Sequence, residues 1–257
     1  MFLNKQRIKE QIDKDLSLVV YKTIDSTNTQ AKLAAERGEY KRAVFIAGEQ
    51  TAGRGRLGRS FVSSENNGLY LTILLNEEMP ADFATSLTTY MAVVAARAVN
   101  TLAGIDVNIK WVNDLYAGGK KLAGILTEGK AAESGEALAY AVIGIGINIR
   151  KQNFPDEVKD IATTLEDQCS VKISVNDLAA RIVNEFFADL SSVGTKKIAD
   201  EYKSRSFVIG KRVNVIKPTV QYEALVTDIT DKCELRLTLN NGAEEILSTG
   251  EVSIRQL

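Results

Sequence analysis

Residues 48–60 read GEQTAGRGRLGRS, interleaving three glycines (Gly53, Gly55, Gly58) with three arginines (Arg54, Arg56, Arg59) directly after the apolar run 43–47. Glycine lets a chain approach a ligand closely, and arginine supplies fixed charge with a planar fork of donors. The mixture describes a cationic flap suited to closing over an anion such as a phosphate or an acyl phosphate. The same letters contain G-x-G-x-x-G. A dinucleotide-binding turn, however, runs straight into a helix, and residues 61–68, FVSSENNG, are turn chemistry instead. The flap therefore reads as a connection between two strands, 43–47 and 69–75. Taken alone, it is also compatible with an arginine-rich solvated loop that holds no ligand.

Around the flap the patterning alternates between helix and strand. A short helix over 4–14 precedes a strand at 18–21, and Asp25, Ser26, Thr27 and Asn28 offer caps for a helix through Ala31, Leu33, Ala34 and Ala35 that stops at Gly38. After Pro80, Phe83, Leu87, Tyr90, Met91, Val94, Ala98 and Leu102 recur at helical spacing until Gly104. Strands are predicted at 107–112, 121–127 and 138–149; the last is an almost uncharged run that belongs at the centre of a sheet. Helices follow at 175–193 and 196–204. Beyond Gly210 only short strands remain, at 213–216, 222–229, 235–239, 245–247 and 252–254, with Asn241-Gly242 as a hairpin turn.

Composition narrows the chemistry. A chain of 257 residues with 45% hydrophobic content can bury a full core. Lys plus Arg (32) balances Asp plus Glu (33), so no basic field favours nucleic acid. No run is apolar for long enough to span a bilayer, and the N-terminal residues are charged, which predicts a cytoplasmic protein. There is no histidine, which excludes Ser-His-Asp and Cys-His catalysis and histidine-bearing metal sites. Cys169 and Cys233 stand far apart and read as buried apolar side chains. Catalysis must then use lysine, arginine, carboxylate and amide groups, with or without Mg²⁺.

A second polar segment, Lys110-Trp111-Val112-Asn113-Asp114-Leu115-Tyr116, precedes Gly118-Gly119-Lys120-Lys121-Leu122-Ala123-Gly124-Ile125-Leu126. It reads as strand, polar corner, glycine turn, strand. Lys110 and Val112 share one face, Trp111 and Asn113 the other; Asp114 ends the first strand and Lys121 opens the second. By itself this is also an ordinary hairpin with an Asx turn and a salt-bridging lysine.

GRGRLGR, KWVND and KLAGIL, in this order, resemble the motifs of biotin protein ligases. Ser26-Thr27-Asn28, the later GIGIN at 144–148 and the closing GEVSI at 250–254 extend the likeness over nearly the whole chain. The resemblance implies an α/β (α+β) fold: a ligase domain of the class II aminoacyl-tRNA synthetase type over residues 1–207, with a mixed sheet covered by helices, then a small SH3-like β-barrel at 208–257. It implies that biotin and Mg²⁺-ATP form biotinyl-5′-AMP, and that a lysine of a biotin carboxyl carrier protein then displaces AMP. Lipoate or octanoate ligases of similar fold and a non-catalytic biotin sensor are the alternatives. A loop over an adenylate excludes water, so residues 51–59 are expected to be disordered without ligand.

Roles carried over from the family place Ser26, Thr27, Asn28, Gln50, Gly53, Arg54, Lys121 and Gly124 at biotin, and Arg56, Lys110, Trp111, Asn113, Asn148 and Arg255 at ATP. Lys121, Arg54, Arg56 and Asp114 are the expected catalytic residues, with Lys121 touching both the biotin carboxylate and the phosphate. Asp114 would orient Mg²⁺ or the incoming amine. Two positions depart from the family pattern. Val112 replaces the usual proline and Phe61 a frequent tryptophan, which weakens stacking there. Homodimers occur in the family, but nothing here marks an interface. Only about 16 residues precede the first strand, too few for a helix-turn-helix unit.

Overall fold

The computed structural model describes residues 3–133, 135–217, 219–248 and 250–254. A short helix α1 (Lys5–Lys9) and strand β1 (Ser17–Tyr21) lead into helix α2 (Thr27–Glu36), after which β2 (Arg42–Ala47) and β3 (Gly68–Leu75) flank the flap. Then come β4 (Met79–Pro80), the long helix α3 (Phe83–Ala103), β5 (Asn108–Lys110), β6 (Asp114–Ala117), β7 (Lys120–Ala131) and β8 (Ala137–Asn148). These strands form one sheet in the order β1-β2-β3-β8-β7-β6-β5, with β4 paired to β8. The β1–β2 pair is parallel and the others are antiparallel, so the sheet is mixed, as predicted, with β8 at its centre.

Helices α4 (Leu165–Gln168), α5 (Val175–Ala188) and α6 (Lys196–Arg205) follow. Strands β9 (Arg212–Ile216), β10 (Gln221–Ile229), β11 (Leu235–Leu239), β12 (Glu244–Leu247) and β13 (Glu251–Ile254) then build a second, antiparallel sheet in the order β12-β11-β10-β9-β13.

Alternation along the strands sends side chains to two faces of the main sheet. Val44, Ile46, Leu71, Ile73, Ile143 and Ile145 join the large core that includes α3 and α5. Leu87, Tyr90, Met91 and Val94 of α3 are buried there, each contributing roughly 1.5–3 kcal/mol by leaving water. Gly104 ends that helix at φ 66°, its N–H on the Asn100 carbonyl at 2.8 Å. On the opposite face Ala43, Phe45, Leu74 and Val142 pack under Ala31, Ala34 and Ala35 of α2. The same face continues past the start of that helix as Thr72, Gly144, Gly146 and Gly124, the strip that positions the site.

Three predicted boundaries move for local reasons. The first helix stops at Lys9, whose ammonium folds back onto the carbonyls of Lys14 and Leu16, both at 2.6 Å, so the chain turns instead of continuing to 14. The helix predicted to 193 ends at Ala188 because Asp189 leaves helical angles, and a 3₁₀ turn covers Leu190–Ser192. The strand predicted over 107–112 ends at Lys110. Residues 111–113 are the turn, and Asp114 opens β6, which pairs with both β5 and β7. One hairpin was expected; a three-stranded meander is found.

Candidate functional site

The glycine strip is the floor of a cleft whose lining brings together Ser26, Thr27 and Asn28 from the start of α2, Gln50, Arg54 and Arg56 from the β2–β3 connection, Lys110, Trp111, Asn113 and Asp114 from the β5–β6 corner, and Lys121 and Gly124 from β7. Gly124 lies opposite Gly146 in the β7–β8 register. A Cβ added at Gly146 would sit 2.4 Å from the Phe61 ring, and one at Gly144 would sit 2.1 Å from Asn28 Oδ1. Only glycine lets that ring and that amide lie directly on the sheet.

One part of the cleft is neutral and hydrogen-bonding. Gln50 Oε1 accepts from the Thr27 backbone N–H at 2.8 Å and from Thr27 Oγ1 at 3.0 Å, while Gln50 Nε2 donates to Ser63 Oγ at 3.0 Å. Thr72 Oγ1 lies 2.8 Å from Thr27 Oγ1 and 2.7 Å from Asn28 Oδ1. Asn28 Nδ2 then donates to the Leu126 carbonyl at 3.1 Å and to Glu128 Oε2 at 3.0 Å. Ser26 is buried at the N-cap of α2, yet its hydroxyl makes no capping bond.

The other part is cationic. Arg56 Nη1 donates to Asn113 Oδ1 at 3.2 Å and Nη2 to the Gly250 carbonyl at 2.7 Å; Arg59 Nη1 meets Glu251 Oε1 at 2.7 Å. Arg54 Nη1 lies 3.1 Å from Glu128 Oε1. Lys121 Nζ is 2.7 Å from Asp114 Oδ1, but that buried oxygen has no aligned hydrogen bond. The pair is held by charge rather than by an aligned hydrogen bond. Burial lowers the pKa of the Lys110 amine, partly offset by the charges of Asp114 and Glu251. The carboxyl of Glu128 is pushed up by burial but held below its usual range by bonds from Asn28 and Lys32 and by the Lys32 and Arg54 charges.

Several expected site residues take other positions. Trp111 lines the cleft, but its indole N–H donates to the Cys233 carbonyl at 2.8 Å, fastening the β5–β6 corner to the second sheet. Asn148 is buried outside the lining and donates to the Thr163 carbonyl at 3.2 Å. Gly53 packs behind the cleft, where a Cβ would lie 2.4 Å from the Phe61 carbonyl. Arg255 lies outside the described residues. Among the described residues no group of three or more His, Cys, Asp or Glu could hold a metal; the cleft lining carries two carboxylates, Asp114 beside Lys121 and Glu251 beside Arg59. Among the same residues no helix is long and apolar enough to cross a membrane.

Sequence reasoning missed Glu128, Val158 and Ile161 at or beside the cleft. It quoted Gly144, Gly146 and Glu251 as parts of motifs without giving them a role. Two glycines inside an apolar strand do signal a close approach. The two glutamates and the two loop aliphatics carry no local signal, because only the folded chain brings them to the flap and the floor.

Residues 20–148 match the Biotin/lipoate A/B protein ligase family, and residues 208–255 match the Biotin protein ligase C terminal domain. The chain is similar to the bifunctional ligase/repressor BirA of Bacillus subtilis, at 34% identity over 238 residues, which covers 90% of this chain and 72% of that protein. It is also similar to the biotin–[acetyl-CoA-carboxylase] ligase of Mycobacterium tuberculosis, at 32% identity over 235 residues, 88% of this chain and 85% of that protein. Among solved structures, the biotin protein ligase from Aquifex aeolicus in complex with biotin and ATP gives a TM-score of 0.78 at 26% identity, covering 94% of this chain and 99% of that one.

Proposed function

The chain belongs to the biotin protein ligase family, and from that premise we propose that it joins its substrates biotin and ATP as biotinyl-5′-adenylate and passes the biotinyl group to a lysine of a carrier protein. The observation that carries this is a single cleft in which a neutral, hydrogen-bonding part adjoins a cationic one. Thr27, Gln50, Ser26 and Asn28 suit an uncharged ring with amide-like groups. Arg54, Arg56, Lys110 and Lys121 suit a carboxylate and phosphates brought close together.

In the first step a biotin carboxylate oxygen attacks the α-phosphorus of ATP, and pyrophosphate leaves with the bonding pair. Two anions approach each other, so fixed cations lower the barrier, and Lys121 with Arg56 would hold the phosphoryl oxygens as charge builds. In the second step the acceptor amine attacks the acyl carbon and AMP leaves. Asp114, which lines the cleft beside Lys121, would take the amine's proton. A lone carboxylate is also the usual protein contribution to nucleotide-bound Mg²⁺, which supplies charge neutralisation at the phosphates, and Asp114 would be its partner. Residues 1–207 form the ligase unit in this reading. The unit at 208–257 contributes Glu251 and Val252 to the lining, which supports a role for it in the reaction. The acceptor is a biotin carboxyl carrier protein, and the cytoplasm is the compartment in which both would meet.

The test mixes protein, biotin, Mg²⁺-ATP and a biotin carboxyl carrier domain and weighs the acceptor. A mass gain of one biotinyl group is expected, and no gain with competent substrates overturns the reading. Preferential lipoylation when lipoate competes would move the chain to the lipoate ligases. Biotin binding without pyrophosphate release would make it a sensor.

Arg54→Ala is expected to speed escape of the adenylate roughly tenfold, read by quenching preformed intermediate with scavenger, because the flap loses one of its charged ties. Retention equal to the parent protein would contradict the flap's role. Lys110 gives a pH signature. Its lowered pKa means that the amine sheds its proton at a pH below the ordinary lysine range, and phosphate draws the proton back. ATP binding should then take up protons at alkaline pH and weaken as pH rises through that lowered value. Calorimetry in two buffers checks this, and Lys110→Met should abolish the uptake.

A further inference from the structure

The three flap arginines are tied to two different sheets. Arg56 and Arg59 reach Gly250 and Glu251 at the start of β13, whereas Arg54 reaches Glu128 on β7, the strand that also carries Lys121. The Glu128 side chain is 20% exposed, and three groups converge on it: Asn28 Nδ2 at 3.0 Å, Lys32 Nζ at 2.9 Å and Arg54 Nη1 at 3.1 Å from Oε1 and 3.2 Å from Oε2. Asn28 connects onward through Thr72 and Thr27 to Gln50, so one chain of polar contacts links the neutral part of the cleft to a flap arginine.

We propose that Glu128 is a positioning residue for the flap: its carboxylate holds Arg54 over the cleft and, through Asn28, ties that position to the residues lining the neutral end. Geometry supports this assignment in two ways. Alternation puts Glu128 on the face of β7 that carries Gly124, the floor of the cleft. Its remaining cationic partner, Lys32, comes from α2 and not from the flap, so the two contributions are separable by mutation. Held in this way, Arg54 enters the reaction already placed, and the flap loses less freedom on closing.

Glu128→Gln removes the charge and keeps the shape and the Asn28 contact. Limited trypsin digestion of the unliganded protein reads flap opening directly, because the cleavable bonds follow Arg54, Arg56 and Arg59. Cleavage there is expected to rise about fivefold, and release of preformed adenylate to rise by a similar factor, the scale of one partly exposed charge-assisted hydrogen bond. Lys32→Met, which removes the other cation, should leave both rates within about twofold of the parent. Glu128→Asp, with the carboxylate drawn back by one methylene, should fall between.

Rates for Glu128→Gln within about twofold of the parent overturn the assignment, as does Lys32→Met loosening the flap as much as Glu128→Gln. If Glu128→Gln does not fold, an unchanged flap in Glu128→Asp does the same. The release measurement rests on the ligase reading above. Proteolysis needs no substrate, so a chain that made no adenylate would sink that reading while leaving the flap assignment to be judged on digestion alone.

Discussion

Replacing Lys121 by alanine is expected to slow formation of biotinyl-5′-adenylate by roughly 10²–10³-fold while the protein stays folded, the loss usual for removing one preorganised charge-stabilising donor. The ammonium stands 2.7 Å from Asp114 at the floor of the cleft, with 32% of its side chain exposed. The pair is largely buried, and losing the ammonium leaves the Asp114 carboxylate without its cation, so a loss of about 1–3 kcal/mol and a melting temperature lower by several degrees are expected. The backbone of residue 121 stays anchored in the variant, because its N–H donates to the Ile161 carbonyl at 2.7 Å and its carbonyl accepts from Thr163 N–H at 2.9 Å. Lys121→Arg should rescue little, since a planar fork cannot follow reacting atoms as a compact ammonium can. Single-turnover pyrophosphate release with biotin and Mg²⁺-ATP is the measurement, and a rate within a few-fold of the parent removes Lys121 from the chemistry.

The second large effect is steric. Gly53→Ala should reduce kcat/KM for biotin by roughly 10²-fold, the cost of displacing a positioned group by about 1 Å. A Cβ there would lie 2.4 Å from the Phe61 carbonyl and 2.5 Å from Ser63 Oγ, and the 2.9 Å bond from Phe61 N–H to the Gly53 carbonyl holds the two strands of the flap together at that point. Backbone must move, and Phe61 and the Gln50–Ser63 contact move with it. Overpacking of this kind also destabilises by about 1–3 kcal/mol, visible in urea unfolding. Gly58→Ala is the contrast. Nothing lies within 4 Å of its added Cβ, and only its φ of 74° opposes the change, so a loss of about 1 kcal/mol and little kinetic effect are expected. Equal kinetic losses at both positions, or none at Gly53, would break the argument.

Most of the architecture was legible because its signals are local. The spacing of Leu87, Tyr90, Met91 and Val94 and the glycine after them define α3 to within a few residues. The uncharged run of β8 predicts a central strand, and β8 is central. The β5–β6 corner was harder. Residues 107–112 read as one strand because apolar and polar residues alternate from Val107 to Trp111, but the turn at 111–113 is set by Trp111 and Val112 burying themselves in the core and by the indole bond to Cys233. That partner lies far along the chain, beyond the reach of any local pattern.

The candidate site divides in the same way. Lys121, Arg54, Arg56, Asp114, Thr27 and Gln50 were named from their motifs, and the fold brings them to one cleft. Asn148 carries the same kind of motif but spends its amide on Thr163. Composition and spacing by themselves determined a histidine-free chemistry built on arginine and lysine, an α/β region followed by a run of short strands, and a charged connection between two strands; that the chemistry is a ligase's came from the resemblance of its motifs to those of biotin protein ligases. Only the tertiary structure decided which carboxylate holds which arginine, that glycines clear the floor beneath Phe61, and that β13 reaches across to the flap. Helical period, strand alternation and turn residues act over a few neighbours and are written in order along the chain. Ion pairing and steric fit act through space, between residues whose meeting depends on the order in which the strands assemble.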